Sequence, residues 1–322
     1  MKRLLSMAVL SIFLLASCSS KNEEAKSEKN HIPSQNEVSF SHNGQDFKII
    51  PFYEEILDYT GYVKENPSES NPGAYVEKVL DPIKEKSAMD YLTLDYPFNS
   101  STEIDQLEDN TIKLLQNQDQ INELIKEALI KSSELLPGGD KNIYVMPLRP
   151  EDNFVIEKME GVFGVVYNDN AIFIQLDTSF SEKLLKYTVA HEYHHTINIQ
   201  INRDMAYHTV LDSIITEGKA DSFAGIVYPE ISAPWTESLP DETEELVLEE
   251  LSEYADSTSI KIYNDFFKGK SSKGIPLWTN YKIGYQITQS YIEHNPEMPI
   301  SKWTSLLTKD LLQDSEYNNL LQ

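Results

Sequence analysis

His191-Glu192-Tyr193-His194-His195 constrains this chain more than any other segment. Leu184, Thr188, His191, His195 and Ile199 recur at steps of three and four, the spacing of one stripe on an α-helix. Ser179 and Glu182, three residues apart, have the pattern of a capping box, so the helix is expected to begin there. Residues four apart on a helix stand one above the other, which aims both imidazoles at one point. On a stripe that is otherwise apolar and turned inward, two imidazoles need polar partners, and a divalent cation supplies them. Glu192 lies about 100° round the helix from His191, beside the cation and not under it. From there it can take a proton from water without competing as a ligand. A helix whose histidines are purely structural is the competing reading.

A tetrahedral catalytic zinc site takes a third protein ligand and keeps its fourth position for water. An extension of the motif to x-x-Gly-x-x-His is excluded, because Asn198 and Ile201 occupy those positions. The other route is a carboxylate from a later helix, and Thr216-Glu217-Gly218-Lys219-Ala220-Asp221 offers Glu217. Leu211, Ile214, Ile215 and Phe223 supply that helix with apolar residues. Gly218, Ala220 and Ala224 are small enough for it to approach the first helix closely. Asp221 falls one turn after Glu217, on the same face, where it can accept a hydrogen bond from the outer nitrogen of a ligand histidine.

His191-Glu192-x-x-His195 followed by Glu217-x-x-x-Asp221 resembles the gluzincin pattern of thermolysin-like metallopeptidases. The Glu-Gly-x-Ala form, with Gly284-Tyr285 later in the chain, is similar to a bacterial family of predicted zinc-dependent proteases. The resemblance spans about Tyr144 to Tyr291. It implies zinc on His191, His195 and Glu217, Glu192 as general base and Asp221 behind a ligand histidine. The donor to the developing oxyanion is expected among Tyr281, Tyr285 and Tyr291 on one helical stretch, with His208 as another candidate; Tyr285, in the family-like Gly-Tyr pair, is the first choice. Thr216 departs from the Asn usual in thermolysin-like relatives, which weakens the match to that subfamily and leaves the ligand set intact. The implied fold is α+β and mostly helical: a zincin-like metallopeptidase core with a small β-sheet and a C-terminal helical lobe. The implied activity is zinc-dependent hydrolysis of a peptide or protein substrate.

The chain has 322 residues and one cysteine, Cys18. Lys2 and Arg3 precede an apolar run from Leu4 to Leu15, too short for an ordinary membrane span. Leu15-Ala16-Ser17-Cys18 resembles the lipobox of bacterial lipoproteins, in which the cysteine is lipidated and becomes the first mature residue. Residues 1–17 are thus expected to be a signal peptide. Cys18 would anchor the chain in the lipid bilayer at the extracytoplasmic face of the cell membrane. No intramolecular disulfide can form, so stability must come from packing and bound metal. The formal net charge of −25 disfavours nucleic acid as a partner.

Residues 18–45 are expected to form a flexible linker, 46–140 an N-terminal helical region and 141–322 the catalytic domain. Ile121 to Leu135 has helical spacing closed by Pro137-Gly138-Gly139, and Ile143 to Met146 has the composition of a strand. Val162 to Tyr167 and Ala171 to Leu176 form a predicted hairpin. The second of these strands is either an exposed edge along which an extended substrate lies or an ordinary core strand. Two non-hydrolytic readings compete with the peptidase: a lipoprotein that holds zinc without turnover, and a surface adaptor.

Overall fold

The computed structural model describes residues 32–202 and 209–321. Cys18 and the expected signal peptide lie outside the described residues, as does His208.

Strand β3 (Lys141–Pro147) shows why the fold has three layers. Its side chains alternate, yet nearly all are buried: Ile143 and Val145 enter one apolar core, Tyr144 and Met146 another. A strand buried on both faces needs helices above and below it. The other strands are β1 (Val38–His42), β2 (Gln45–Pro51), β4 (Val162–Asn168) and β5 (Ala171–Leu176). They join one five-stranded sheet in the order β1-β2-β3-β5-β4. β2, β3 and β5 run parallel in the middle, with Ile49 opposite Ile143 and Ile143 opposite Ile172. β1 and β4 run antiparallel at the two edges. β5 is therefore a core strand, and the edge beside the motif helix belongs to β4.

Two expected boundaries do not divide the fold. β1 and the start of β2 fall inside the expected linker, and β2 pairs directly with β3 across the 140/141 boundary. Even Asn36, within the expected stalk, is tied down, its backbone N–H donating to Gln118 Oε1 at 2.8 Å.

One face of the sheet is covered by helices α1 (Tyr53–Glu65), α2 (Asn71–Tyr75), α3 (Asp81–Ser87) and α4 (Ile104–Gln116), with a π-helical turn at Val76–Leu80. The other face receives α5 (Gln118–Leu135) and the motif helix α7 (Glu182–Ile201). A short helix, α6 (Asn153–Lys158), precedes β4. Beyond α7 come α8 (Val210–Val227), α9 (Asp241–Tyr254), α10 (Ile260–Lys268), α11 (Thr279–His294), α12 (Ile300–Ser305) and α13 (Thr308–Gln313). The described residues are thus mixed α+β and mostly helical with a small sheet. None of their helices is long and apolar enough to cross a membrane.

Helix α7 starts two residues later than the capping-box reading expects. Asp177 Oδ1 accepts from both the backbone N–H and the hydroxyl of Ser179, closing a turn there. Ser181 is the cap instead, and its hydroxyl oxygen accepts from the Leu184 N–H. Helix α8 opens with a full capping box between Thr209 and Asp212. Gly218 does not serve the α7 contact, as its size suggests it should. It faces α11, where a Cβ would lie 1.9 Å from the carbonyl oxygen of Gly284. The two helices touch backbone to backbone.

Candidate metal centre

Two packed helices bring the motif residues together. His191 and His195 leave α7 one turn apart, with their Nε2 atoms 3.0 Å from each other. Glu217 reaches them from α8, its Oε2 lying 3.3 Å from His191 Nε2 and 3.4 Å from His195 Nε2. One ligand atom from each of the three lies within 4.8 Å of the others.

The protonation logic of the cluster favours a cation. Asp221 Oδ1 lies 2.9 Å from His191 Nδ1. A carboxylate can only accept, so Nδ1 carries a proton and Nε2 is the ring atom left facing His195 and Glu217, free to act as a ligand when a cation replaces its proton. The same oxygen accepts from the Tyr187 hydroxyl at 3.1 Å and from Trp235 Nε1 at 3.0 Å. Asp221 is fully buried, so these three donors fix its position. Burial alone would push the His191 pKa down, but Asp221 and Glu217 outweigh it and hold it well above the usual value. Burial would likewise raise Glu217, yet His195 and His191 pull it well below the ordinary carboxylate range. Two imidazoles and one carboxylate that stabilise positive charge between them match the nitrogen and oxygen donor set of a catalytic zinc.

Glu192 sits beside this cluster, buried against the edge strand. Burial raises its pKa, and the attraction of His191 and His195 only partly offsets the rise. A Cβ on Gly164 of β4 would fall 2.6 Å from Glu192 Cγ and 2.8 Å from its Oε1, so the strand leaves that side chain its space. His191, Glu192 and Gly164 line a cavity of about 490 Å³ whose walls are largely aromatic. Glu217 lines a second, smaller cavity with Thr216 and Tyr263.

Tyr281, and not Tyr285, is the tyrosine of α11 that faces the site. Its ring lies 6.3 Å from that of His191, centroid to centroid, and it lines the aromatic cavity. The Tyr285 hydroxyl instead points toward Gly225 of α8, 3.8 Å from where a Cβ would stand. Phase alone does not part the two tyrosines, because residues four apart share one stripe; they differ by one turn along α11, about 6 Å of rise, which leaves Tyr281 at the site and Tyr285 beside Gly225. Tyr187 and Trp235 are partners of Asp221 that spacing did not single out. Tyr187 stands one turn before His191 and so was within reach of the helical pattern. Trp235 arrives from a 3₁₀ turn (Pro234–Thr236) and leaves no periodic trace. His194 points elsewhere, stacking on Trp303 at 5.6 Å with its Nε2 3.2 Å from Thr304 Oγ1. Burial holds its pKa well below the usual value, so it stays neutral.

Comparison with curated proteins returns no match. Residues 121–313, well over half of the chain, match the family described as "Predicted Zn-dependent protease (DUF2268)". The match runs from α5 to α13 and contains His191, Glu192, His195, Glu217 and Asp221. The chain belongs to this family of predicted zinc-dependent proteases.

Proposed function

We propose that the protein is a zinc-dependent peptidase of gluzincin type, built on a zincin-like core, with His191, His195 and Glu217 as the metal ligands. The observation that carries this reading is the convergence of those three side chains within 4.8 Å, with Glu192 buried at their side. A bound zinc supplies Lewis-acid chemistry, polarising a carbonyl and making water more acidic. Glu192 takes the proton of the attacking water on its carboxylate and hands it to the nitrogen of the leaving amine. Its raised pKa suits both halves of that task, since a base poised nearer neutrality also returns the proton readily. Tyr281 is the donor best placed to receive the oxygen of the scissile carbonyl as charge develops there. Asp221 holds the His191 ring in one tautomer. β4 offers the free sheet edge along which an extended peptide can pair.

The basic residues Lys2 and Arg3, the short apolar run and Leu15-Ala16-Ser17-Cys18 support a further part of the proposal: lipid anchorage through Cys18 at the extracytoplasmic membrane face. Growth of cells on labelled palmitate tests it, and a Cys18→Ala chain that keeps the label removes it.

Digestion of a peptide library by the zinc-loaded protein tests the activity. Glu192→Gln should lower turnover by about 10²-fold to 10⁴-fold while zinc content stays at one ion per chain. Unchanged hydrolysis in that variant would remove Glu192 from the mechanism. Stoichiometric zinc with no hydrolysis in either protein would favour a lipoprotein that only holds metal.

A further inference from the structure

The cavity beside Glu192 carries more information than hydrolysis alone requires. Phe154, Phe163, Trp235, Phe267, Trp278 and Tyr281 all line it. Two of the neighbouring pairs meet edge to face. Phe154 and Trp278 are 5.8 Å apart at 66°, and Trp235 and Trp278 are 5.8 Å apart at 70°. In each such pair only one ring gives up a face, which leaves other faces and edges of the lining for an inserted ring in the offset or perpendicular geometry aromatic pairs prefer. One part of the wall is also pinned. Trp235 is held by its hydrogen bond to Asp221, the residue that orients His191, so this part of the wall is set by the same contact as the metal ligand. A preformed wall selects by shape with little ordering cost.

The charged groups of the cavity differ in how they are compensated. Asp152 is taken by Arg149, whose Nε donates to Oδ2 at 3.1 Å and whose Nη2 donates to the other oxygen. Lys268, at the last residue of α10, is exposed and has no ion-pair partner among the described residues. The next lysines along the chain behave otherwise, Lys270 pairing with Asp265 and Lys273 with Glu250. On a chain with 52 acidic and 27 basic side chains, a lysine at a cleft with no ion-pair partner among the described residues can receive an anion from outside.

Resting on the peptidase reading, we infer that this cavity is a specificity pocket for a bulky aromatic side chain of the peptide, with Lys268 receiving a carboxylate next to it. The carboxylate comes either from a free C-terminus or from an acidic side chain.

The full-length, zinc-loaded chain is given peptides of equal length carrying one Phe, Leu or Ala. Each is followed by Glu, by Lys, by a free C-terminus or by an amidated one, and products are mapped by mass spectrometry. Cleavage next to Phe should exceed that next to Ala by about tenfold or more in kcat/KM, with Leu between them. Glu or a free terminus should be preferred over Lys or an amide, and the two acidic arms tell the sources of the carboxylate apart. Lys268→Glu, an exposed change, should reverse the charge preference, and Asn264→Trp, which narrows the cavity, should lower the preference for Phe. Binding of the same peptides to zinc-loaded Glu192→Gln gives a second readout without turnover. Hydrolysis that depends on Glu192 yet is equal at Phe, Leu and Ala, or a charge preference that survives Lys268→Glu, overturns the pocket and leaves the peptidase standing. Absence of Glu192-dependent hydrolysis of every peptide overturns the peptidase reading and the pocket as its subsite together.

Discussion

Toward α7, helix α8 presents Glu217 and Asp221, whose carboxylates meet His191, His195 and Tyr187 across a gap filled by side chains. Toward α11 it presents Gly218, which lies against Gly284 with backbone touching backbone. Glu217 and Gly218 are consecutive residues, so one turn of helix serves both contacts. The first contact needs length: two imidazoles and a carboxylate must fit around one cation, and their outer atoms must find partners. The second needs the absence of length, because interaxial distance is set by the side chains at the crossing. Pressing α8 against α11 fixes the position from which Glu217 reaches out and brings Tyr281 to the cavity. The glycine contact is therefore part of how the site is held, although no glycine touches a ligand atom.

The sharpest way to break this arrangement is to add one carbon at the crossing. In Gly218→Ala the new Cβ would meet the carbonyl oxygen and carbon of Gly284 at 1.9 and 2.0 Å, atoms that cannot rotate away. We expect a stability loss of about 3 kcal/mol, the upper end for overpacking, despite the better helix propensity of alanine. Urea unfolding measures it. Gly138→Ala is the control. Its Cβ would also meet an atom at 2.0 Å, but that atom is Cδ1 of Ile197, the terminal methyl of a buried side chain that can turn about its outer torsion. It should cost about 1 kcal/mol or less. Equal losses in the two variants would mean that the α8–α11 crossing yields as easily as a side chain does.

A glycine against a side chain with a chemical task should give a third result. The Cβ of Gly164→Ala would crowd Glu192 and the Thr188 methyl, at 2.6 and 2.7 Å. The Glu192 side chain can move, so the fold should survive. A carboxylate displaced by about 1 Å should lower kcat by about 10²-fold. Zinc content and unfolding midpoint should stay near wild type, which separates this variant from Gly218→Ala. Full activity in Gly164→Ala would show that the carboxylate has more freedom than its packing against β4 suggests.

How much of this could be read from the sequence depended on whether the signal was local. That the pair His191 and His195 shares a centre with the pair Glu217 and Asp221 was implied by the resemblance. Each pair by itself was legible on one helix face, because phase within a helix follows from residue number. The hairpin β4–β5 was legible for the same reason. Strand order was not, since nothing local says that β5 inserts beside β3 and leaves β4 at the edge. The β1–β2 hairpin was missed although its signal is present. Asn43-Gly44 stands between Val38-Ser39-Phe40 and Phe47-Lys48-Ile49, and both loop residues adopt positive φ, 51° and 79°. That is the tight turn an Asn-Gly pair favours between alternating strands. The polar neighbourhood upstream drew the linker reading past it. The resemblance behind Tyr285 attached weight to Gly284-Tyr285 as a pair. The glycine proves to be a packing contact, and the residue it brings to the cavity lies three positions earlier.

The smallest effect we expect tests the α7 side of the comparison. Asp221→Asn preserves shape, and its amide oxygen can still accept from His191 Nδ1, Tyr187 and Trp235. It removes the negative charge behind His191, which makes the imidazole a weaker donor at Nε2, and it places an NH₂ group where Asp221 Oδ2 has no hydrogen-bond partner among the described residues. Zinc affinity should fall by about tenfold, the lower end of the range for such outer partners, and competition with a chelator of known affinity reads it directly. Trp235→Phe leaves the charge and removes one donor, so it should shift affinity by less. If Asp221→Asn binds zinc as tightly as the wild type, the carboxylate is a packing element at the α7–α8 contact, and the electrostatic difference between the two sides of α8 disappears.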